Sequence, residues 1–204
     1  MLRRLNLTTH VVSSVGWLGA VAAFLALSIA GRASTSADIV RASYIAMNLL
    51  GQFIIVPMSI LALATGLVQS LGTQWGLFRY YWVLMKFALT VGATLLLLLH
   101  QFTAVAGAAR AVSAAALASI PDVGRLSTQL VFDAAFAAVV LVVTTALSVY
   151  KPWGLIRPAQ THTNEAVAAR MPATARVSLV IIGLIAATII ALHLAGHGLG
   201  GHGM

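Results

Sequence analysis

Residues 80–107 read YYWVLMKFALTVGATLLLLLHQFTAVAG, and this stretch decides the fold. Lys86 is its only side chain charged at neutral pH with histidine neutral. The run is longer than the ~20 residues a helix needs to cross a ~30 Å hydrocarbon core. Its apolar character is continuous rather than alternating, which argues against a barrel strand. Hydrocarbon offers no partner for backbone N–H and C=O groups, and a helix satisfies them within one segment.

The same pattern repeats on both sides. Spans at about 9–30 and 43–70 precede this one, and spans at about 128–150 and 176–196 follow it. The expected fold is therefore all-α: one integral membrane domain over 1–204, a polytopic transmembrane bundle of about five helices. Arg3 and Arg4 ahead of an apolar run look like the start of a signal peptide. The run from Val11 to Ala30 is long enough to span, so it reads as a retained first helix. Between the spans, 31–42 is a short polar loop and 71–79 a tight connection with Gly72 and Gly76. Ala-rich sequence from Ala108 to Ala118 either extends the third helix or joins the loop that Pro121-Asp122 marks. The longest polar segment is 151–175, and a Gly/His-rich tail occupies 197–204. Pro57 predicts a kink in the second span.

The composition excludes whole classes of function. The chain is 60% hydrophobic and 8% charged, whereas a soluble domain carries roughly a quarter charged residues. The net charge is +8, from twelve Lys/Arg against four Asp/Glu. These basic residues sit at helix ends, so topology and anionic lipid account for them better than nucleic acid does. An inside N-terminus places Arg3, Arg4, Arg79, Lys151, Arg157, Arg170 and Arg176 on the cytoplasmic side. It leaves Arg32, Arg41, Arg110 and Arg125 outside. The positive-inside rule then predicts N-inside and C-outside in a multi-pass plasma membrane protein. Trp75, Phe78, Tyr80, Tyr81 and Trp82, with Tyr150 and Trp153, form the expected inner aromatic belt. Cysteine is absent, which removes disulfides and thiolate ligands. No nucleophile elbow, phosphate loop or His-Glu-x-x-His helix points to hydrolase chemistry.

Ionisable residues inside spans are costly and mark candidate sites. Lys86 and His100 are fourteen residues apart, which places them within about 40° on one helix face and about 21 Å apart along it. With His10 at the inner end of the first helix, Lys86 defines an inner candidate site. Asp133 lies at the outer level with His100 and His193, and these define an outer one. His193 and His197 are spaced i,i+4, so both imidazoles face one way. With His202 and Met204 they make a tail suited to weak capture of copper or zinc. The plain alternatives are a snorkelling Lys86, an interfacial capping His10, a His100 that only hydrogen-bonds a neighbouring helix, an Asp133 in a wet vestibule and a disordered tail. Asn48, Gln52 and Ser59 in helix two, and Gln129, Thr144 and Ser148 in helix four, read first as packing contacts.

The stretch His10-Val11-Val12-Ser13-Ser14-Val15-Gly16-Trp17-Leu18-Gly19 resembles the first-helix pattern of CopD-type copper-resistance membrane proteins and of HemJ-type protoporphyrinogen oxidases. Trp82-Val83-Leu84-Met85-Lys86-Phe87-Ala88-Leu89-Thr90, continuing to His100, is similar to the Trp…Lys-x-x-Leu…His helix of the latter. The resemblance covers about fifty residues in two helices. Lys151-Pro152-Trp153-Gly154 belongs to neither pattern. The resemblance implies a small bacterial inner-membrane bundle associated with haem b, with a first-helix His and a later Lys as functional residues. Carried onto this sequence, those are His10 and Lys86. The leading expectation is a haem-binding membrane protein, an oxidoreductase if an enzyme, with His10, His100, His193 and Asp133 as cofactor-binding candidates. A copper- or metal-handling protein using His193, His197 and His202 is the second reading. A non-catalytic subunit of a homo-oligomer or larger membrane complex is the third.

Overall fold

A computed structural model of the chain describes residues 1–72, 77, 80–115 and 123–151. The expected fifth helix at 176–196 and almost all of the 151–175 loop and tail lie outside the described residues. Within them the chain is all-helical. Four rods are long and apolar enough to cross a membrane. The first is α1 (Leu2–Ala33). The second joins α2 (Ala37–Leu50), a π-helical turn (Gly51–Ile55) and α3 (Val56–Gly72). The third joins α4 (Tyr81–His100), a second π-helical turn (Gln101–Val105) and α5 (Ala106–Ala114). The fourth is α6 (Gly124–Tyr150). The chain is a multi-pass membrane protein.

The helices run further than their apolar stretches predict. Charged and hydroxyl residues are placed at helix ends instead of beyond them. Arg3 and Arg4 lie within α1, which starts at Leu2 rather than near residue 9. The expected loop at 31–42 shrinks to Ser34–Ser36. The Ser34 hydroxyl accepts the Ser36 N–H at 3.1 Å. Ser36 then precedes α2, whose first turn carries Asp38 near the positive end of the helix dipole. The Ala-rich stretch extends the third rod to Ala114. Its end is capped from another helix: Arg41 donates from Nε to the Val112 carbonyl (3.0 Å) and from Nη2 to the Ala115 carbonyl (2.9 Å).

Burial follows the bundle. Trp17, Val21, Tyr44, Met47, Val112 and Leu130 form part of one core shared by all four rods. Large apolar side chains cover the exterior instead, with Phe53 71% and Phe132 70% exposed. That is the surface that lipid wets, and it carries no penalty in hydrocarbon. Most buried hydroxyls bond back to their own helix. Ser13, Ser28, Ser59 and Ser70 donate to the carbonyl three residues earlier, and Thr144 does the same. The expected polar contacts between helices are therefore concentrated in a few places rather than spread along stripes. Gln52, one of the expected packing residues, is exposed.

The two π-turns face each other. The first lies just ahead of Pro57. Proline has no N–H and its ring crowds the carbonyl four residues back, so a widened turn there relieves both problems. No proline explains the second. Its Gln101 is 1% exposed and reaches across to the second rod. The carboxamide nitrogen donates to the Asn48 backbone carbonyl (3.3 Å) and to Asn48 Oδ1 (3.1 Å). Gly51 makes room for it: a Cβ on Gly51 would collide with the Gln101 carboxamide. Gly51→Ala is accordingly expected to destabilise the detergent-solubilised protein by about 1–3 kcal/mol, the range for overpacking. Thermal melting measures this, and in a Gln101→Ala background the added cost should largely disappear.

Candidate functional site

The first ionisable cluster is built by α1, α3 and α4. His10 lies more than two turns inside α1 and is half-buried. Its Nδ1 sits 3.0 Å from the Ala62 carbonyl and 3.1 Å from the Thr65 hydroxyl of α3. The carbonyl can only accept, so the tautomer with a proton on Nδ1 satisfies it. Nε2 is then the ring nitrogen left for a ligand or a proton. Gly66 allows this approach, since a Cβ there would stand 3.1 Å from the imidazole Cε1. Nearby, Asn6 donates to the Thr65 carbonyl at 3.2 Å, tying α1 to α3 at the same level.

Lys86 faces the same space. His10, Ala62, Gly66, Gln69, Lys86 and Thr90 are among the residues lining a cavity of about 120 Å³. The void is about 600 Å³ when the open mouth is counted. Among the described residues Lys86 has no ion-pair partner. Trp82 also lines this cavity and is buried. It packs with Leu77 and Val83, which give its ring an apolar seat.

The second cluster joins α4 to α6. His100 Nδ1 and Asp133 Oδ2 are 3.0 Å apart, with side-chain exposures of 8% and 23%. At this distance they form a salt bridge whenever the imidazole carries its second proton. Beside them is a mainly apolar cavity of about 70 Å³, lined by Phe24, Leu97, Gln101 and Phe136 among others. His193, expected at this level, lies outside the described residues, as do His197, His202 and Met204. Among the described residues no group of three or more His, Asp or Glu is placed to hold a metal ion.

No protein-family model, curated protein or solved structure matches this chain. The site therefore has to be read from its own chemistry. A porphyrin offers two handles, an iron or ring nitrogen centre for imidazole and propionates for a cation. The first cavity supplies an imidazole with Nδ1 already anchored, as metal-bound histidines have, and an ammonium with no ion-pair partner among the described residues. Pockets that enclose a drug-sized ligand run about 300–1,000 Å³, so the 120 Å³ interior takes part of such a ring and the mouth must take the rest. The donor set fits the group.

Residues that sequence reading passed over also enter the site. Thr65, Gly66, Gln69 and Ser70 lie on α3, and their role depends on which face of α3 meets α1. The i,i+4 spacing of Ala62 and Gly66, small residues on one helix face, is the signal that marks it. The close contact generates a stability prediction. His100→Leu alone should cost about 1–3 kcal/mol by leaving the Asp133 carboxylate beside a mainly apolar cavity. The double leucine variant should melt above His100→Leu, because it removes that carboxylate.

Proposed function

We propose that this chain is a haem- or porphyrin-binding protein of the bacterial inner membrane with a redox role. One observation carries the reading: a Lys86 ammonium with no ion-pair partner among the described residues and an anchored His10 imidazole share one cavity inside a membrane bundle. A free cation held among apolar helices is costly unless an anion meets it. Lys86 would bind a propionate, and His10 would present Nε2 to the centre of the macrocycle. When bound, a haem would supply one-electron chemistry. Where no metal takes Nε2, His10 would instead accept or return a proton there, with the Ala62 carbonyl holding the ring in place. The resemblance of the first and third rods to HemJ-type proteins points the same way.

The test is an absorption spectrum of freshly solubilised protein from haem-sufficient cells, followed by porphyrin titration. A Soret band or saturable uptake is expected. Lys86→Met should weaken uptake about ten- to a hundredfold, as loss of a charge-assisted contact of about 1.5–3 kcal/mol does. His10→Ala should shift or abolish the band. A colourless protein that takes up neither haem nor porphyrin would overturn the reading.

A further inference from the structure

We propose that the second cavity binds a lipid-soluble phenol, which enters from the hydrocarbon between α4 and α6 and is held by the Asp133 carboxyl group. The lining divides by exposure. Val21, Phe24, Ile55 and Leu130 belong to a buried inner wall. Leu96 and Leu97 of α4, with Asp133, Phe136 and Ala137 of α6, are only half-buried and form the rim. The interior measures about 70 Å³, and the void reaches about 590 Å³ when the open mouth is counted. Most of the space therefore lies at the mouth, between the third and fourth rods.

This mouth lies at a level where the exterior is apolar. Asp133 stands nine residues into α6, which starts at Gly124, and nine residues rise about 13.5 Å. Beside the two ionisable residues in sequence, Leu99 is 54% and Phe132 70% exposed. A molecule that reaches the cavity from this side is one that dissolves in hydrocarbon.

The polar corner selects the head group. Among the described residues Asp133 meets His100 alone. A carboxylate offers about four lone-pair sites, and one imidazole N–H fills one of them. Acceptor capacity left unmet inside a span is costly, and a ligand hydroxyl supplies the missing donor. A carboxyl group accepts hydrogen bonds in either protonation state, so a neutral donor suits it whether or not His100 carries its second proton. An anionic head would be repelled by the carboxylate.

The rest of the lining selects the body. Apart from His100, Gln101 and Asp133, every lining residue is apolar, and Phe24 and Phe136 offer contacts to an aromatic ring. An apolar cavity of about 150 Å³ takes up a whole benzene ring. The smaller interior here admits the hydroxyl-bearing edge of the ring, and the mouth takes the remainder with an aliphatic tail. Hydroquinones with such a tail belong to the same class.

The experiment uses the full chain in phosphatidylcholine nanodiscs and para-octylphenol carrying a photoreactive diazirine in its tail, with labelled peptides mapped by mass spectrometry. Saturable labelling of α4 and α6 around Leu96 and Phe136 is expected. Unlabelled octylphenol should displace it, and octylbenzene and octylbenzoate at the same concentration should not. Asp133→Leu, similar in volume, should weaken labelling about ten- to a hundredfold, as loss of a charge-assisted hydrogen bond does. Ala137→Leu should block it by filling the rim while keeping the carboxyl group. Val139→Ala, at a lipid-facing position 59% exposed, should match the wild type. Melting temperatures establish that each variant folds, and Ala137→Leu decides if Asp133→Leu does not. Labelling that never saturates, or a folded Ala137→Leu protein labelled like the wild type, overturns the proposal. So does equal displacement by octylbenzene, which would mark a pocket for lipid tails only. No porphyrin is present, so the outcome is separate from the haem reading.

Discussion

Hydrocarbon cannot hydrogen-bond, and the rest of this structure depends on that constraint. Backbone groups that lie in hydrocarbon must bond within their own helix or to a side chain, and an ionisable group in a span must find company inside the bundle. The exterior is left to Phe53, Leu95, Phe132 and residues like them. The polar side chains then collect in a few places. Arg41 closes the end of α5, Gln101 reaches Asn48, His10 docks on α3, and His100 meets Asp133. Each of these joins two different rods. The contacts that the solvent makes expensive to lose are thus the ones that fix how the rods pack.

Fold class was legible in the sequence because a single physical quantity, the length of uninterrupted apolar chain, is measured against the thickness of the bilayer. Boundaries were less legible. Apolar length marks where a helix must be buried in lipid, not where its hydrogen-bond ladder ends. Arg3, Arg4 and Asp38 continue helices into the polar region at no cost, so α1 and α2 run close together across the three-residue link Ser34–Ser36. Pro57 signalled a disturbance correctly in place, and the chain answers it with a widened turn.

The site was legible in part for a similar reason. Helical geometry relates residues on one rod, so Lys86 and His100 could be placed on a shared face at known separation. Depth then suggested His10 as company for the first and Asp133 for the second, and the bundle places each pair together. What one helix cannot reveal is the face its neighbour presents. Gly66 and Gln69 line the His10 cavity, and Thr65 meets the imidazole, because α3 turns that side toward α1. Gln101 became a link because Gly51 leaves space for a carboxamide where any other residue would block it. These contacts depend on rotation between rods, and no pattern within one rod records that rotation.

The second π-turn shows how far packing governs such details. Proline forces the first, but the second follows His100 with no residue that requires it. A wide turn costs hydrogen-bond geometry, so something local must offset it. The turn's first residue is Gln101, whose donor finds two oxygens of Asn48 across the interface. The residue before it is His100, which meets Asp133 on a different rod. Consecutive side chains on an α-helix point about 100° apart, so this one step of backbone serves two neighbouring helices at once. A turn anchored on both sides cannot slide along either. The imidazole is thereby held at a set depth beside its carboxylate, at the point where α4 carries the polar groups of both cavities through the bundle.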